Sequence, residues 1–509
     1  MDNESYEQVG PNIVGGAIEV NQKYWDISEP TYKRAVGTDS ASFIKVYQQS
    51  GFQPSLQQEN WHFRLSDLNS YYLPSQSFFE FSFNIEDLAA EPTEATRNII
   101  IPNDLRTMFK YAQLELNNVT VESNNTNYQF FANIDRSWWS RQYYETAGSI
   151  IGSILPNTMW DNPSYLPQLA RQNSALTNFE GTGVQVYNGD VARTQSYMKH
   201  KFMACSKTVE GLEILKTCNM RVAMCDLFQF YRFYTKVHKG VDMSVRFTCN
   251  NDATFITDRT RNVVRENVGA TQFRKNWVNS GIVWWCKTVK PSPRVEASLS
   301  SMLQKGVEIL CPFESVKTYL FQPGVGGNSY RVVNESSRPV KMICGFQRKT
   351  CLNTTDDISV LQMPKGITAF TAFVNGTKVP EVDIKIRVNI DPPPPQGYNP
   401  VTELPDIDFS EIYQRYLEMC GTFTGNQYKE NYSRGAGAYG YQEWCSVCPH
   451  ISFDLSTNAI GAISGSNSEI VFQYECSEDL SAYNLYCMVY TERTVSLNLS
   501  NASTYVAVR

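Results

Sequence analysis

The sequence predicts an all-β protein built as two similar β-sandwiches, with short helices set in long loops. Three observations carry that prediction. Runs of about four to eight residues alternate apolar and polar with period two, the signature of strands with one buried face. Aromatic residues reach 13%, with 29 tyrosines and 27 phenylalanines, and such side chains suit a pleated surface. The same succession of strand-like runs, turns and one or two helices then restarts after residue 306. At 509 residues the chain is too long for a single core, since domains usually hold about 100–200 residues.

Residues 1–40 are polar and punctuated by Gly10-Pro11, Gly15-Gly16 and Glu29-Pro30. They read as an extended arm, either paired with a neighbouring subunit or disordered. The first sandwich is expected over 41–290. Phe79, Phe81, Phe83 and Ile85 alternate with Glu80, Ser82 and Asn84. Asn98 to Ile101 ends at Pro102, and Asn103-Asp104 is placed to cap a short helix, Leu105 to Tyr111. Leu114-Glu115-Leu116 and Val119-Thr120-Val121 flank Asn117-Asn118, a hairpin signal. Phe130 to Ile151 reads as helix, and the Pro- and Gly-rich stretch 156–195 as a long excursion loop. The chain is organised around Arg221 to Ile256. There Val241, Met243, Val245 and Phe247 share one strand face, and Asp242, Ser244, Arg246 and Thr248 the other. Gly240 and Asn250-Asn251-Asp252 supply the flanking turns. Asp258 to Arg274 reads as a charged loop and Gly281 to Cys286 as a short buried strand. A helix over Val295 to Gln304, stopped by Gly306, makes 291–306 a linker.

The second sandwich is expected over 307–509. Val307 to Leu310, Ser315 to Phe321, Tyr330 to Val333 and Val340 to Phe346 are strand-like. Glu381 to Asp391 is the cleanest alternation in the chain, and it breaks at the stiff spacer Pro392 to Pro395. Asp408 and Glu411 resemble a capping box opening a helix from Phe409 to Met419. Ile451 to Leu455, Ile470 to Cys476, Leu485 to Glu492 and Thr494 to Leu499 close the series.

Composition narrows the function. A net charge of −6 argues against a surface that wraps nucleic acid by itself. No run of about 20 apolar residues predicts a membrane span. The polar, acidic N-terminus is not a signal peptide, so the 13 cysteines are expected as reduced thiols of a protein made inside a cell. Cys249, Cys286, Cys344, Cys476 and Cys487 sit in strand-like runs, where a small apolar residue fits. Asn-x-Ser/Thr triplets at Asn118, Asn353 and Asn375 are read as chance.

The residues offer little catalytic chemistry. Cys445-Ser446-Val447-Cys448-Pro449-His450 is the only metal-like spacing, and it supplies two ligands where a structural zinc needs about four. It reads as two thiols in a turn. Four histidines supply few general bases, and there is no G-x-S-x-G elbow. Gly324-Val325-Gly326-Gly327 lacks the Lys-Ser/Thr of a phosphate loop and reads as a hairpin tip. Glu86-Asp87 and Asp356-Asp357 fall in expected turns. The basic run Arg259 to Arg274, with Lys275 beside it, has the charge to touch nucleic acid or an acidic neighbour, but in a net acidic chain it reads rather as a solvated or inter-subunit face. Trp138-Trp139 and Trp284-Trp285 are adjacent aromatic pairs; neighbours in a strand point to opposite faces, so one ring of each is expected in the core and one at a partner, in preference to a sugar-stacking site. No catalytic, cofactor-binding or metal residue is assigned.

The order of several segments resembles the double jelly-roll major capsid proteins of Polinton-type viruses, adintoviruses and virophages, relatives of adenovirus hexon. The similar passages are Ile101 to Phe109 followed by Ala112 to Val119, then Tyr128 to Tyr144, then Asp226-Leu227-Phe228 with Gly240-Val241-Asp242 and Phe255. The second half adds Glu308 to Pro312, Phe373 to Pro380, Tyr413 to Leu417 and Phe453 to Ser456. Asn118 stands where the family often has Gly, and the tetraproline, the cysteines and Asp258 to Arg274 have no counterpart. The resemblance implies two tandem eight-stranded jelly rolls and a non-enzymatic virion protein. It implies a homotrimer forming a pseudo-hexagonal capsomer, an icosahedral shell that encloses DNA without reading its sequence, and a separate penton protein, with minor or cement proteins as further partners. No cofactor is implied. The rival readings are a carbohydrate-binding or carbohydrate-active β-sandwich, an adhesin of Ig-like units, and a minor or vertex capsid protein.

Overall fold

The computed structural model describes residues 38–49, 51, 59–87, 97–100, 105–124, 127–138, 202–205, 218–251, 257–258, 273–324, 328–333, 339–349, 361–364, 366–389, 406–420, 444–445, 448–455, 469–499 and 505–508. The first half holds β1 (Thr38–Val46), β2 (Asn60–Leu65), β3 (Phe78–Asp87), β4 (Arg97–Ile100), β5 (Phe109–Leu116), β6 (Val119–Asn124), β7 (Phe202–Cys205), β8 (Cys218–Ala223), β9 (Met243–Cys249), β10 (Thr257–Asp258) and β11 (Phe273–Pro291). The second holds β12 (Val307–Phe321), β13 (Asn328–Val333), β14 (Pro339–Arg348), β15 (Ile367–Val374), β16 (Thr377–Lys385), β17 (Arg387–Asn389), β18 (Asp406–Asp408), β19 (Ile451–Asp454), β20 (Glu469–Cys476), β21 (Tyr483–Leu499) and β22 (Tyr505–Val508).

Two four-stranded sheets face each other in each half. In the first they run β1-β11-β3-β8 and β2-β9-β5-β6. In the second they run β12-β21-β14-β19 and β13-β20-β15-β16, with β22 added along β21. The two orders correspond strand for strand. In each, the last long strand lies beside the first, as a jelly roll requires. The small sheets β10-β4-β7 and β17-β18 lie outside this pattern, in the excursions.

Apolar alternation puts one face of each sheet inward. In the first roll Phe79 and Trp284 from one sheet meet Phe63, Phe247 and Phe109 from the other, with Phe79 and Phe247 edge to face at 5.0 Å. In the second, Phe346 and Phe453 meet Tyr474 and Phe472. β9 lies between β2 and β5, and Val241, Met243, Val245 and Phe247 are all buried. The expected hairpin at Asn117-Asn118 joins β5 to β6. Both asparagines have positive φ (49° and 61°), the left-handed pair that a two-residue turn between right-twisted strands demands. Asn375-Gly376 does the same between β15 and β16.

Several local expectations change. Leu105 to Tyr111 is not one helix: a 3-10 turn, Leu105–Met108, leads directly into β5. The helix expected from Phe130 begins at Tyr128 and ends at Ser137, with Trp138 as its C-cap, so Trp138 does not sit in a strand. Trp139 to Ile151, the excursion 156–195 and residues 1–37 of the arm lie outside the described residues. Gly281 to Cys286 belongs to a 19-residue strand, bent where Asn279 and Gly281 take positive φ and the register slips. The pairs Val307–Leu310 with Ser315–Phe321, and Leu485–Glu492 with Thr494–Leu499, are each one continuous strand. Glu381 to Asp391 breaks at Ile386 into β16 and β17, and Val382 is 72% exposed because β16 leaves the ladder there. Phe409, not Asp408, caps the Ser410–Met419 helix, with no side-chain bond. Gly324 follows β12 and precedes β13, which lie in opposite sheets, so it is not a hairpin tip. Glu86 and Asp87 close β3 instead of lying in a turn. Lys275 is not solvated: it is buried over the Trp277 ring. The linker helix spans Pro293–Lys305. Among the described residues no helix is long and apolar enough to cross a membrane.

Candidate functional site

The feature that most distinguishes this molecule from two beads on a string is the seam between its rolls. The Tyr128–Ser137 helix follows β6 of the first roll and is buried on every side. A helix buried all round must meet protein in all directions. Toward its own roll, Tyr128 donates its hydroxyl to Leu227 O at 2.7 Å. Toward the second roll, Phe130 stacks on Tyr486 at 4.9 Å and Trp138 on Tyr490 at 5.5 Å. Tyr416, on the helix that follows the corresponding strands of the second roll, donates its hydroxyl to Ser137 O. Phe230 packs edge-on against Phe313 at 5.6 Å.

β21 explains how one strand serves both sides. Tyr486 and Tyr490 point to the first roll, so by alternation Leu485, Cys487 and Val489 point into the second roll's own core. All five are buried. β14 beside it does the same, and Gly345 is where the Phe130 ring comes closest. A methyl group on Gly345 would stand 2.9 Å from that ring and 3.2 Å from Leu361. Lys341 lies over both Trp138 and Tyr490 and is paired with Glu314 at 2.8 Å.

Behind the helix sits a buried ionic cluster. Asp135 accepts from Arg106 Nη1 at 2.5 Å and from both terminal nitrogens of Arg232. Arg106 also donates to Asp226 O (2.9 Å) and Arg232 Nε to Cys225 O (2.8 Å). Burial pushes the Asp135 carboxyl up, but Arg232 and then Arg106 outweigh it and hold the group well below the usual carboxylate range. Glu122, at the end of β6, behaves oppositely. Burial pushes it up to about 7, against the pull of the Phe230 and Gln229 amides. One of its oxygens accepts from Phe230 N at 3.0 Å. The cluster therefore ties together the 3-10 turn, the buried helix and the two short turns after β8.

Sequence reading singled out none of Arg106, Asp135 or Arg232. The single local cue is a charged pair, Asp135-Arg136, inside an apolar helix, and the partner Arg232 lies 97 residues away. Cys448 and His450 are placed in the seam, Cys448 beside Asn133 O of the buried helix and His450 edge-on to Tyr416. His450 Nδ1 donates to the carbonyl of Cys448 at 2.7 Å, and burial lowers the ring to about 4 and raises the Cys448 thiol to about 12. Among the described residues no group of three or more His, Cys, Asp or Glu could hold a metal, and the ten cysteines whose side chains are described are all free. Cys249, Cys286, Cys344 and Cys487 are buried, whereas Cys476 is half-buried. Trp284 lies in the core. Trp285 is on the outward face of its sheet, stacked on Phe78 with Lys45 above it.

No protein-family profile matches the chain, and no curated protein matches it in sequence. Solved structures do match. A chain of the Sputnik virophage, determined by cryo-EM, superposes with a TM-score of 0.53 at 11% identity, covering 94% of this chain and 90% of that one. The mavirus major capsid protein gives 0.43 at 10% identity (94% and 92% covered), and a chain of the PBCV-1 virus capsid 0.47 at 9% (94% and 98%). The fold is the double jelly roll, and the likeness runs nearly the whole length of the chain.

Proposed function

We propose that the chain is a viral major capsid protein. The observation that supports this most is the likeness of fold, over 94% of the chain, to a chain from a virophage particle. The ordered family segments in the sequence point the same way. In this reading the division is an arm over 1–40, a first roll over 41–290, a linker over 291–306 and a second roll over 307–509. Two rolls fused side by side give each chain two of the six corners of a pseudo-hexagonal tile, so three chains complete a capsomer. Tiles then close an icosahedral shell around DNA, with a penton protein at the vertices and minor or cement proteins at the joints. The protein resides in the virion capsid and has no catalytic role. The buried seam fits this use: a tile keeps its shape only if the two rolls of each chain do not move against each other.

Native mass spectrometry of the purified chain, with negative-stain images of the same sample, tests the proposal. Trimers, hexagonal tiles or shells are expected. A monomer at every salt concentration and pH tried would overturn it.

A further inference from the structure

On the outward face of the β13-β20-β15-β16 sheet, three polar side chains stand in one row. Ser329 pairs with Gln473 across β13 and β20, and Gln473 pairs with Thr371 across β20 and β15. Gln473 Nε2 donates to Ser329 Oγ at 3.1 Å. On β16 the row has no fourth member. Phe370 pairs with Ile384 and Ala372 with Val379, so Pro380 to Asp383 leave the ladder opposite Thr371. Bulges re-aim side chains and open space at sheet surfaces. Here the bulge walls a recess of about 360 Å³ lined by Ser329, Gln473, Thr371, Phe373, Lys378 and Asp383.

Thr371 gives the recess its chemistry. It faces outward yet is only 8% exposed, and its hydroxyl has no hydrogen-bond partner. Lys378 above all, with a smaller contribution from Thr371, holds the Asp383 carboxyl below its ordinary range, but the Thr371 hydroxyl closes no bond of ordinary geometry. Buried polar groups in native folds are nearly always satisfied, so an unpaired hydroxyl in a recess points to a partner from outside the chain. Lys378 and Asp383 pair at 2.9 Å and neutralise each other, which leaves no surplus charge for an anion. The remaining groups are the Ser329 and Thr371 hydroxyls and the Gln473 amide, in a row a strand spacing of about 4.8 Å apart, with the Asp383 carboxylate and an aromatic edge beside them. That spacing suits alternate hydroxyls of a sugar ring, with its C–H face against Phe373. The volume, at the small end of ligand sites, suits one ring.

We propose that this recess is a carbohydrate subsite for one neutral hexose unit, held by Thr371, Gln473 and Asp383 with Phe373 beneath it. The inference does not depend on the capsid reading.

The test is saturation-transfer NMR on the full chain, with the methyl glycosides of glucose, galactose and mannose, N-acetylglucosamine, and sialic acid as the anionic comparison, each at millimolar concentration. At least one neutral sugar is expected to receive saturation. Thr371→Val keeps the shape and removes the hydroxyl, and should weaken binding by about tenfold, the worth of one good hydrogen bond. Thr371→Ser should retain binding. If Thr371→Val lowers the melting temperature, Gln473→Ala and Asp383→Asn carry the same test from the rim. No transfer to any neutral sugar, transfer to sialic acid alone, or unchanged binding in the folded variants would each overturn the proposal.

Discussion

Asp135 shows what a single buried charge does in this fold. Two arginines, one of them fully buried, close on it. Removing it leaves both without their counter-charge, which costs about 3–5 kcal/mol where a buried pair is broken. Asp135→Asn should therefore lower the denaturation midpoint sharply, and a change under about 1 kcal/mol would show that the cluster is solvated in solution. Glu122 and the buried histidines govern the pH response. Glu122 is raised to about 7, so its contribution is present in full below its ordinary 4.5 and lost as pH climbs through 7. The separation corresponds to about 3 kcal/mol. Glu122→Gln should thus gain stability above pH 7 and little near pH 4. His238 and His450 are lowered to about 3 and about 4, so their contribution is complete above 6.5 and fades as pH falls toward those values. Two histidines outweigh one glutamate, and urea midpoints should fall between pH 7 and pH 5.

At the scale of elements, the two hairpins repeat one device. Asn117 bonds its backbone N to Asp242 O, and its side chain accepts from Asp242 N at 2.7 Å. Asn375 does the same with Glu469, at 2.8 Å to its N. In each roll the turn thus grips the start of the neighbouring strand, β9 in the first and β20 in the second. Both asparagines also hold positive φ of 49°. Asn117→Ala and Asn375→Ala each lose about 1 kcal/mol of hydrogen bond and add about 1 kcal/mol of left-handed strain. Thermal melts should show similar losses for the two, and unequal losses would mean that the two rolls do not use the turn alike. The first hairpin was legible because Asn-Asn sits between alternating runs. The bulge in β16 was not: the Glu381 to Asp391 alternation is locally perfect, and only pairing with β15 reveals that it breaks.

For the whole molecule, the seam decides whether two rolls act as one. Phe130, Tyr486, Trp138 and Tyr490 bury aromatic surface that neither roll covers alone. Phe130→Ala should cost about 3–5 kcal/mol, the range for deleting a buried aromatic ring. In calorimetry it should split one unfolding transition into two. A single transition with an unshifted midpoint would place the coupling elsewhere. The Sputnik chain superposes on this fold at 11% identity, so identity at single positions says little here.

By itself the sequence determined the all-β class, the inward faces and the repetition of one plan in two halves. Those follow from period-two alternation and turn residues, which are local in the chain. Only the tertiary structure decided the seam, the Arg106–Asp135–Arg232 cluster and the recess beside Thr371. Each depends on groups brought together from distant segments, and a buried charge, a doubly covered strand and a missing ladder partner leave no periodic trace in sequence. Tyr486 and Cys487 make the point: both read as ordinary strand residues, yet packing assigns one to the neighbouring roll and the other to its own core.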